Sequence, residues 1–392
     1  MPRSSSLPVV LTTPILFCSH VLELGGAEMV LLDVLAELDR KRFTPHLAVP
    51  GNGPLASRAA KLGVPLHEIP LAGYSKLGKV RAIWRARRPL RRLAAELDCH
   101  VLVANSMIAG YAAVLAQQPG LACVWHLHAV LRSKIAHAAL RRANQVIAPS
   151  QAALDAANLS NGTRIENGVP DAFFNAAKPN DAASGLRQQQ RIPADAALFG
   201  IIGRLDPHKG HEVLLRSLAL EWPNANGPHL AIAGGELFAE SHARLGGFQD
   251  QMKALVTTLG LDDRVHWLGE VRDPATLLPQ LDALVVPSSS LESSPRTIAE
   301  AQAARCPVIA SDIGGIAEML ENGAAGLLVP PNDVQALGKA LAQARDDQAW
   351  REQVVPKARQ RAEQHYRVPA FVRRCEAVFA QANTAALASA RG

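Results

Sequence analysis

The feature that most constrains the fold of this chain is a repeated alternation of short apolar runs with longer segments of helical periodicity. In the first half, helical periods are predicted at Ala27–Leu38, Pro54–Leu62, Lys76–Leu97 and Ile108–Gln117. The short apolar runs that precede, separate and follow these helices are predicted as strands, at Ile15–Cys18, Leu47–Val49, Leu66–Ile69, Val101–Ala104, Cys123–Leu127 and Gln145–Ala148. Short buried strands that alternate with helices indicate a parallel sheet.

The alternation stops between Asn161 and Pro193 and then begins again. This interval contains Asn-Gly twice, with several Pro and Asp residues, which is typical of an inter-domain connection. The second series predicts strands at Leu198–Ile202, Leu230–Ala233, Val265–Leu268, Ala283–Val286 and Val308–Ala310. Its predicted helices are Glu212–Leu220, Phe248–Leu259, Pro295–Ala304 and a helical tail beyond Val334.

The length agrees with this division, because a chain of 392 residues is longer than a domain with a single hydrophobic core usually is. We therefore predict an α/β architecture of two Rossmann-like domains that face each other across a cleft. The first domain is placed at 1–170, a linker at 171–195, the second domain at 196–365, and a helical tail that packs back on the first domain at 366–392. In such sheets ligands bind outside the carboxyl ends of the strands.

Cysteine spacing and hydropathy favour a cytoplasmic globular protein. The five cysteines lie in apolar surroundings without a C-x-x-C pair, at 18, 99, 123, 306 and 375. This pattern predicts buried reduced thiols and no zinc site. The stretch Leu7–Cys18 is interrupted by Pro8 and Pro14, so we interpret it as a tail and a first strand rather than a secretion signal. No apolar run approaches the roughly 18–20 residues of a spanning helix.

A net charge of +6 suits anionic partners, either a nucleotide diphosphate or an acidic membrane surface. Eight cations and no acid lie between Lys76 and Arg92, with apolar residues such as Val80 and Trp84 interleaved at near-helical spacing. This segment is either a solvated basic face or a surface that docks on anionic lipid at the inner face of the cell membrane. Pro89 is expected to break or restart its helix.

A glycine pair, Gly25-Gly26, follows the first predicted strand and opens a helix. Two glycines let the backbone approach a ligand closely, and the N–H groups at a helix start attract an anion. The motif is not G-x-G-x-x-G, so dinucleotide binding is not supported. The alternative is a tight turn without a ligand.

A second motif follows the strand Leu198–Ile202. Gly203 permits a sharp exit from the strand, and Arg204 and Lys209 are expected at the carboxyl edge of the second sheet. Two fixed cations suit a diphosphate leaving group, whose charge grows as its bond breaks. The alternative is a solvated pair of basic loop residues.

The third motif is the most specific. The strand Ala283–Val286 runs into a serine-rich loop with Glu292, and the next helix is expected to have a Ser as its N-cap and Pro295 near its first turn. A helix N-terminus can receive a phosphate. Glu292 would reach the sugar side of a diphosphate and Glu300 the ribose, because carboxylates accept from paired hydroxyls. The alternative is a capping acid and an exposed helical glutamate.

Other strand ends give weaker signals. His128, at the tip of the strand Cys123–Leu127, is placed to donate to a sugar oxygen, and His126 lies on the same side. The alternative for each is a satisfied core histidine. Gly235 and Val271 lie in turns of small residues, where a base or phosphate would rest against the backbone.

Together these residues resemble glycosyltransferase family 4 (glycosyl transferases group 1), retaining enzymes with the GT-B fold. The resemblance runs from Gly25 to about Pro331 and is strongest from Ala283 onward. There the Glu-x7-Glu motif, a Pro-Val-Ile-Ala strand, a Gly-Gly-x-x-Glu turn and a Gly-Leu-Leu-Val-Pro-Pro segment occur in the family's order.

The resemblance implies a hexosyltransferase with a UDP- or GDP-sugar donor and a glycolipid, lipopolysaccharide or polysaccharide acceptor, and no nucleic-acid partner. The first domain would be the acceptor side, and the second would bind the nucleotide sugar. Catalytic roles would fall to His128, Arg204, Lys209 and Glu292. The donor would contact Gly25, Gly26, Gly203, Arg204, Lys209, Gly235, Val271, Glu292, Ser294 and Glu300.

No cofactor is expected, and no essential metal, because no two aspartates have D-x-D spacing. Two other functions remain open at this point. One is a nucleotide-sugar epimerase or a phosphorylase on the same fold. The other is a catalytically silent subunit that binds sugar nucleotides, which the intact Arg204, Lys209, Glu292 and Glu300 disfavour.

Overall fold

The computed structural model describes residues 12–71, 76–131, 133–177, 185–224, 226–236, 247–271 and 273–391. Residues 1–11 of the expected tail and 178–184 of the expected linker lie outside this range. The chain divides into two compact units. The first comprises Met1–Gly168 and Val368–Gly392, and the second comprises Val169–Arg367.

Each unit is built on one parallel sheet. Within the described residues, the first sheet has the strand order β3-β2-β1-β4-β5-β6-β7 and the second the order β10-β9-β8-β11-β12-β13. The first-sheet strands are β1 Thr13–Cys18, β2 Phe43–Val49, β3 Leu66–Glu68, β4 Val101–Ala104, β5 Ala122–His126, β6 Gln145–Ala148 and β7 Gly162–Arg164. Those of the second are β8 Leu198–Ile202, β9 His229–Ala233, β10 Val265–Gly269, β11 Ala283–Val286, β12 Val308–Ser311 and β13 Leu327–Val329.

Helices connect the strands in both units. The first part of the chain contributes α1 Gly26–Glu37, α2 Pro54–Lys61, α3 Lys76–Glu96, α4 Met107–Ala116, α5 Lys134–Leu140 and α6 Gln151–Ala157. The second unit contributes α7 Asp171–Phe174, α8 Leu186–Gln189, α9 His211–Glu221, α10 Phe248–Thr258, α11 Pro274–Leu277, α12 Arg296–Ala303, α13 Ile316–Met319, α14 Val334–Asp346 and α15 Gln348–His365. The chain then returns to the first unit as α16, Val368–Arg391.

The helix α16 belongs to the core of the first unit. Its Phe379 meets Phe17 of β1 edge to face, with ring centroids 5.7 Å apart. The carboxylate of Glu376 is buried and accepts from the backbone N–H of Asp39 at 2.8 Å and from Arg42 Nη1 at 3.2 Å. Buried aromatic contacts and a satisfied buried charge fix this helix against the sheet.

The described parts of the interval predicted as a linker, 171–195, are structured within the second unit. Phe173 and Phe174 of α7 are buried in the same core cluster as Ile298 of α12. The guanidinium carbon of Arg367 lies 3.7 Å from the centroid of the Phe174 ring. The Asn-Gly pairs, the prolines and the polar run suggested a loose connection, but two adjacent phenylalanines give this segment an apolar surface to bury.

The predicted alternation of strands and helices is confirmed. The strands Val101–Ala104, Gln145–Ala148, Leu198–Ile202 and Ala283–Val286 have the predicted bounds. The prediction that Pro89 breaks or restarts a helix is wrong, because α3 continues through it from Lys76 to Glu96. The buried residues Ala86, Leu90 and Ala94 lie on one face of α3 across the proline and pack with α4 residues in one core cluster. This packing stabilises α3 on both sides of the proline.

Candidate functional site

The carboxyl ends of β8, β9 and β10 are joined by backbone hydrogen bonds. Gly203 N donates to Ala233 O at 2.9 Å, and Gly234 N donates to Gly269 O at 2.7 Å. A Cβ on Gly234, whose φ is +139°, would lie 1.7 Å from Gly203 O. Gly235 O accepts from Leu205 N at 3.0 Å, so the predicted site residues Gly203 and Gly235 lie in neighbouring turns. Only glycine permits this close approach.

Lys209 is presented by a short 3₁₀ helix, Pro207–Lys209, that packs against the loop after β11. Ser289 N in that loop donates to His208 O at 2.9 Å. Gly210 has a φ of +76°, and a Cβ there would lie 1.8 Å from Pro287 O. The two loops are therefore in backbone contact, which fixes where the Lys209 side chain begins.

The structure brings together the predicted residues Lys209 and Glu292. Lys209 Nζ lies 2.5 Å from Glu292 Oε1, and the side chains are 27% and 20% exposed. Ser288 Oγ also donates to Glu292 Oε1, at 3.2 Å. A charge-assisted hydrogen bond between partly exposed groups fixes both side chains and keeps the ammonium accessible to an anion.

The backbone of Glu292 is held by the glycine turn after β12. Gly315 N donates to Glu292 O at 2.9 Å. Gly314 has a φ of +63°, and a Cβ there would lie 2.0 Å from Glu292 O. This contact explains why the Gly-Gly-x-x-Glu turn needs a glycine at position 314, since any side chain there would displace Glu292.

The helix α12 begins differently from the prediction. Its N-cap is Pro295, with no side-chain capping hydrogen bond, so the expected serine cap is wrong. Ser294 instead directs its Oγ to Met319 Sδ, at 3.4 Å. The ring of Pro295 fixes its φ, which is −60° here with a ψ of 113°, and this conformation suits the residue before a helix.

Glu300 is buried on α12 and forms an ion pair with a residue that the sequence analysis missed. Arg296 Nε lies 2.8 Å from Glu300 Oε1, one helical turn earlier, and both side chains are 10% exposed. The i,i+4 spacing was a visible signal for this pair. Because it is nearly buried, the pair fixes the Glu300 carboxylate more firmly than an exposed one would.

The other predicted residues of the second unit have different surroundings. Arg204 is exposed, directly after Gly203. Val271 is partly buried and packs against the core cluster that contains Ile298, so its side chain has a structural contact. His211, the first residue of α9, is buried beside this edge, and burial lowers the pKa of its imidazole from 6.5 to about 4. This histidine is therefore neutral at pH 7.

In the first unit, Gly25 and Gly26 lie at the start of α1, as predicted. Gly25 N donates to Oε2 of the buried Glu28 at 3.2 Å, which closes the turn. Gly26 is exposed, and no atom of the described chain lies within 4 Å of the position its Cβ would take. The backbone at Gly26 is thus open to close approach.

His128 lies just after β5 and is paired with a second residue that the sequence analysis missed. Its Nε2 is 2.9 Å from Oδ1 of Asn105, which directly follows β4. The ring of His126 is 4.3 Å from that of His128, centroid to centroid, and is buried. Burial lowers the pKa of His128 from 6.5 to about 4, so its imidazole is neutral at pH 7.

No group of three or more His, Cys, Asp or Glu side chains among the described residues is arranged to hold a metal ion. No described helix combines the length and apolar character needed to cross a bilayer.

Two family models match the chain in succession. Glycosyltransferase Family 4 matches residues 24–172, and Glycosyl transferases group 1 matches residues 184–361. The chain is 34% identical over 206 residues to the lipopolysaccharide core biosynthesis mannosyltransferase LpcC of Rhizobium leguminosarum bv. viciae. That match covers 52% of this chain and 54% of LpcC, so the chain spans about half the length of this curated relative.

Solved structures with similar folds cover nearly the whole chain. HepE of Anabaena, in complex with UDP-glucose, has a TM-score of 0.80 and 25% identity, covering 94% of this chain and 99% of HepE. Sucrose-phosphate synthase of Thermosynechococcus elongatus has a TM-score of 0.78 and 22% identity, covering 95% of this chain and 100% of the synthase. The first family model covers strands β2 to β7 of the first sheet, and the second family model covers strands β8 to β13 of the second sheet. The chain therefore has the GT-B fold and belongs to glycosyltransferase family 4, within the glycosyl transferases group 1.

Proposed function

We propose that the chain is a retaining glycosyltransferase that moves a hexosyl unit from a nucleotide-diphosphate sugar to a glycolipid, lipopolysaccharide or polysaccharide acceptor. The observation that carries the proposal is the ion pair between Lys209 and Glu292, 2.5 Å apart at the carboxyl edge of the second sheet. It lies in the segment that matches glycosyl transferases group 1. HepE, solved with UDP-glucose, supports a nucleotide-sugar donor.

Lys209 and Arg204 are suited to a diphosphate leaving group. The ammonium of Lys209 has three N–H donors, and the contact with Glu292 Oε1 uses one of them. The other two can be directed to phosphate oxygens, while the exposed Arg204 offers a planar fork of donors. Lys209 is held in place by Glu292 before the reaction, so it can stabilise charge that grows on the leaving group without reorganisation.

In the proposed reaction, the bond between the anomeric carbon and the phosphate oxygen breaks. The acceptor oxygen bonds to the anomeric carbon on the same face, and its proton passes to the departing phosphate oxygen. Neither Glu292 nor Glu300 is proposed as a nucleophile, because each is held by a cation, Lys209 or Arg296. The product keeps the anomeric configuration of the donor, without a metal ion.

The two glutamates are assigned different parts of the donor. Glu292, whose carboxylate is 20% exposed next to Lys209, is proposed to accept hydroxyls of the donor sugar. Glu300, deeper on α12, is proposed to accept the ribose hydroxyls. Gly25, Gly26, Gly203, Gly235, Val271 and Ser294 are proposed to line the donor, and His128 to lie near the reacting sugar.

We infer that α3 docks the protein on anionic membrane at the cytoplasmic face. Leu77, Val80 and Trp84 on α3 are 62%, 53% and 53% exposed. They recur at a spacing of three and four residues, which aligns them as a stripe on one face. Exposed cations flank the stripe, namely Lys79, Arg81, Arg85 and Arg88. An apolar stripe flanked by cations is typical of helices that lie in the membrane interface.

The experiment that tests the activity is isothermal titration with UDP- and GDP-sugars, followed by detection of free nucleotide with and without a lipid-linked acceptor. A transferase releases nucleotide only when the acceptor is present. Binding without release would indicate a silent subunit, and conversion of the donor without an acceptor would indicate an epimerase. Proton NMR of the anomeric signal then tests retention, and a β linkage from an α-linked donor would overturn the mechanism.

A further inference from the structure

The backbone of Asn105 is fixed at the centre of the first sheet. It directly follows β4, and its N–H donates to the carbonyl of Cys18, the last residue of β1, at 2.9 Å. On its other side, Ser106 is the N-cap of α4 and accepts from Ala109 N. The residue is 1% exposed. Its position therefore follows from two strands and one helix start.

The side-chain amide of Asn105 joins two other segments. Nδ2 donates to Ala27 O at 3.0 Å, and Oδ1 lies 2.9 Å from His128 Nε2. A backbone carbonyl can only accept, so the NH₂ group must face Ala27, and the amide oxygen must face His128. Since an amide oxygen can only accept, the Nε2 of His128 carries the proton.

This arrangement determines what the other ring nitrogen can do. A neutral imidazole has one donor nitrogen and one acceptor nitrogen. Burial keeps His128 neutral, since the pKa of its imidazole is lowered to about 4. With the proton on Nε2, Nδ1 is an acceptor. His128 is thus suited to accept from a hydroxyl, rather than to donate to a sugar oxygen as its sequence position had suggested.

We propose that Asn105 is a positioning residue that fixes the tautomer and orientation of His128 and links it to the turn Gly25–Ala27. This inference rests on the proposed function, in which His128 and the glycine turn belong to the donor site. A purely apolar residue at position 105 would fill the same space and leave the Ala27 carbonyl and the His128 N–H without this partner. Because Ala27 lies in the first turn of α1, its carbonyl can still accept within the helix, so the main loss is the acceptor for the His128 N–H, and that is the physical reason for an amide oxygen here.

The tautomer can be measured without any assay of activity. In the full-length protein labelled with ¹⁵N-histidine, long-range ¹H–¹⁵N NMR identifies which ring nitrogen is protonated, and His128→Gln assigns the signal. We expect only the Nε2–H tautomer in the wild type and in Asn105→Asp, and a mixture with the Nδ1–H tautomer in Asn105→Ala. A wild-type His128 with its proton on Nδ1 would overturn the proposal, even if the variants fail to fold.

Kinetics then test whether the tautomer matters. Asn105→Ala should lower kcat about tenfold, the order of one hydrogen bond, and should have little further effect in a His128→Gln background. Asn161→Ala is the matched control, because Asn161 Nδ2 also donates to a backbone carbonyl of the first unit, Ala143 O, at 2.7 Å. Its kcat should be unchanged.

The outcomes separate this inference from the proposed function. If the wild type transfers no sugar from any nucleotide sugar, the proposed function fails, while the NMR result still decides the tautomer. If the wild type is active and Asn105→Ala lowers thermal stability but leaves kcat and the NMR signal unchanged, Asn105 is only a packing residue. Additive effects of Asn105→Ala and His128→Gln on kcat would likewise contradict a role exerted through His128.

Discussion

Each unit contains its own parallel sheet, but the side chains at the carboxyl ends of the central strands differ in charge between the two units. In the second unit the side chains there form ion pairs, Lys209 with Glu292 and Arg296 with Glu300. In the first unit the paired side chains are neutral, Asn105 with His128. The cations of the first unit are concentrated instead on the outer helix α3.

Under the proposed function, this difference assigns a different task to each unit. Fixed charges interact most strongly with a ligand whose own charge changes during the reaction, as the charge of a leaving diphosphate does. Neutral hydrogen-bonding groups orient hydroxyls without imposing a large field. The comparison therefore predicts that loss of charge is most damaging in the second unit, and that α3 of the first unit affects location rather than turnover.

The largest effect is expected from Lys209→Ala. Removal of its ammonium deletes a preorganised charge beside the proposed leaving group and should lower kcat by roughly 10²-fold or more. Arg216→Ala is the matched control, because Arg216 is an exposed cation of the same unit, paired with Glu212 on α9. Steady-state kinetics measure kcat for both variants and for the wild type. A Lys209→Ala enzyme with normal turnover would remove Lys209 from the mechanism and end the contrast between the units.

The second effect concerns α3 and the membrane. The triple variant Arg81→Gln, Arg85→Gln and Arg88→Gln removes three exposed cations, each worth about 1 kcal/mol near an anionic surface. Partitioning onto anionic vesicles should weaken by roughly 10²-fold, as measured by sedimentation at low salt. Turnover of a soluble acceptor should stay the same.

Three exposed cations of the second unit provide the control for that experiment, namely Arg216, Lys339 and Lys357, each changed to Gln. This variant has the same change in net charge and should sediment like the wild type. Equal binding of the wild type to neutral and anionic vesicles would count against docking through α3. Arg91 is left intact, because it donates to the carbonyls of Leu115, Ala116 and Gln117 and so holds α4.

The third effect distinguishes the roles of Glu292 and Glu300. Glu300→Gln should weaken binding of the free nucleotide diphosphate by about tenfold, because ribose is common to donor and product. Glu292→Gln should lower use of the donor sugar and leave nucleotide binding near normal. Calorimetry and kinetics together separate the two. Arg296→Met is the control, since it breaks the ion pair and retains the Glu300 carboxylate. The reverse pattern would mean that the roles are exchanged.

The last effect concerns stability rather than activity, and it is a dependence of stability on pH that both units share. Burial lowers the pKa of His128 and of His211 from 6.5 to about 4. Between these values the unfolded chain binds more protons than the folded one, so stability falls as the pH drops from 6.5 towards 4. Denaturant unfolding at pH 7.5 and pH 5 measures this loss. The loss of unfolding free energy between pH 7.5 and pH 5 should be smaller in His128→Gln and in His211→Gln than in the wild type. An unchanged loss in both variants would contradict the neutral state of these histidines.

Sequence reasoning located features that are contiguous along the chain. The junction from Ala283 to Ala303 was predictable because a strand, a loop and a helix follow one another and each has its own local pattern. The pair of Lys209 and Glu292 was expected to share one edge, since both follow strands of one parallel sheet. The serine cap failed because the helix boundary falls on Pro295, which has no side-chain acceptor for the first N–H groups of α12.

Other parts depended on tertiary contacts that no local pattern specifies. Asn105 directly follows a strand, which was a visible signal, but its partners lie 78 residues before it and 23 after it. The pair of Arg296 and Glu300 was readable from its spacing, yet its near-complete burial depends on the packing of α12. Phe173 and Phe174 could not be assigned to a core before the second unit was known.

The return of α16 to the first unit has a consequence for synthesis. The second unit is one uninterrupted stretch, Val169–Arg367, so it can complete its folding as soon as that stretch has left the ribosome. The first unit begins to emerge earlier, yet its core still lacks Phe371 and Phe379 until α16 has been translated. During elongation the nascent chain therefore holds an unfinished apolar surface next to a finished domain. The emergence of α16 therefore times the completion of the first unit, although that unit begins first along the chain.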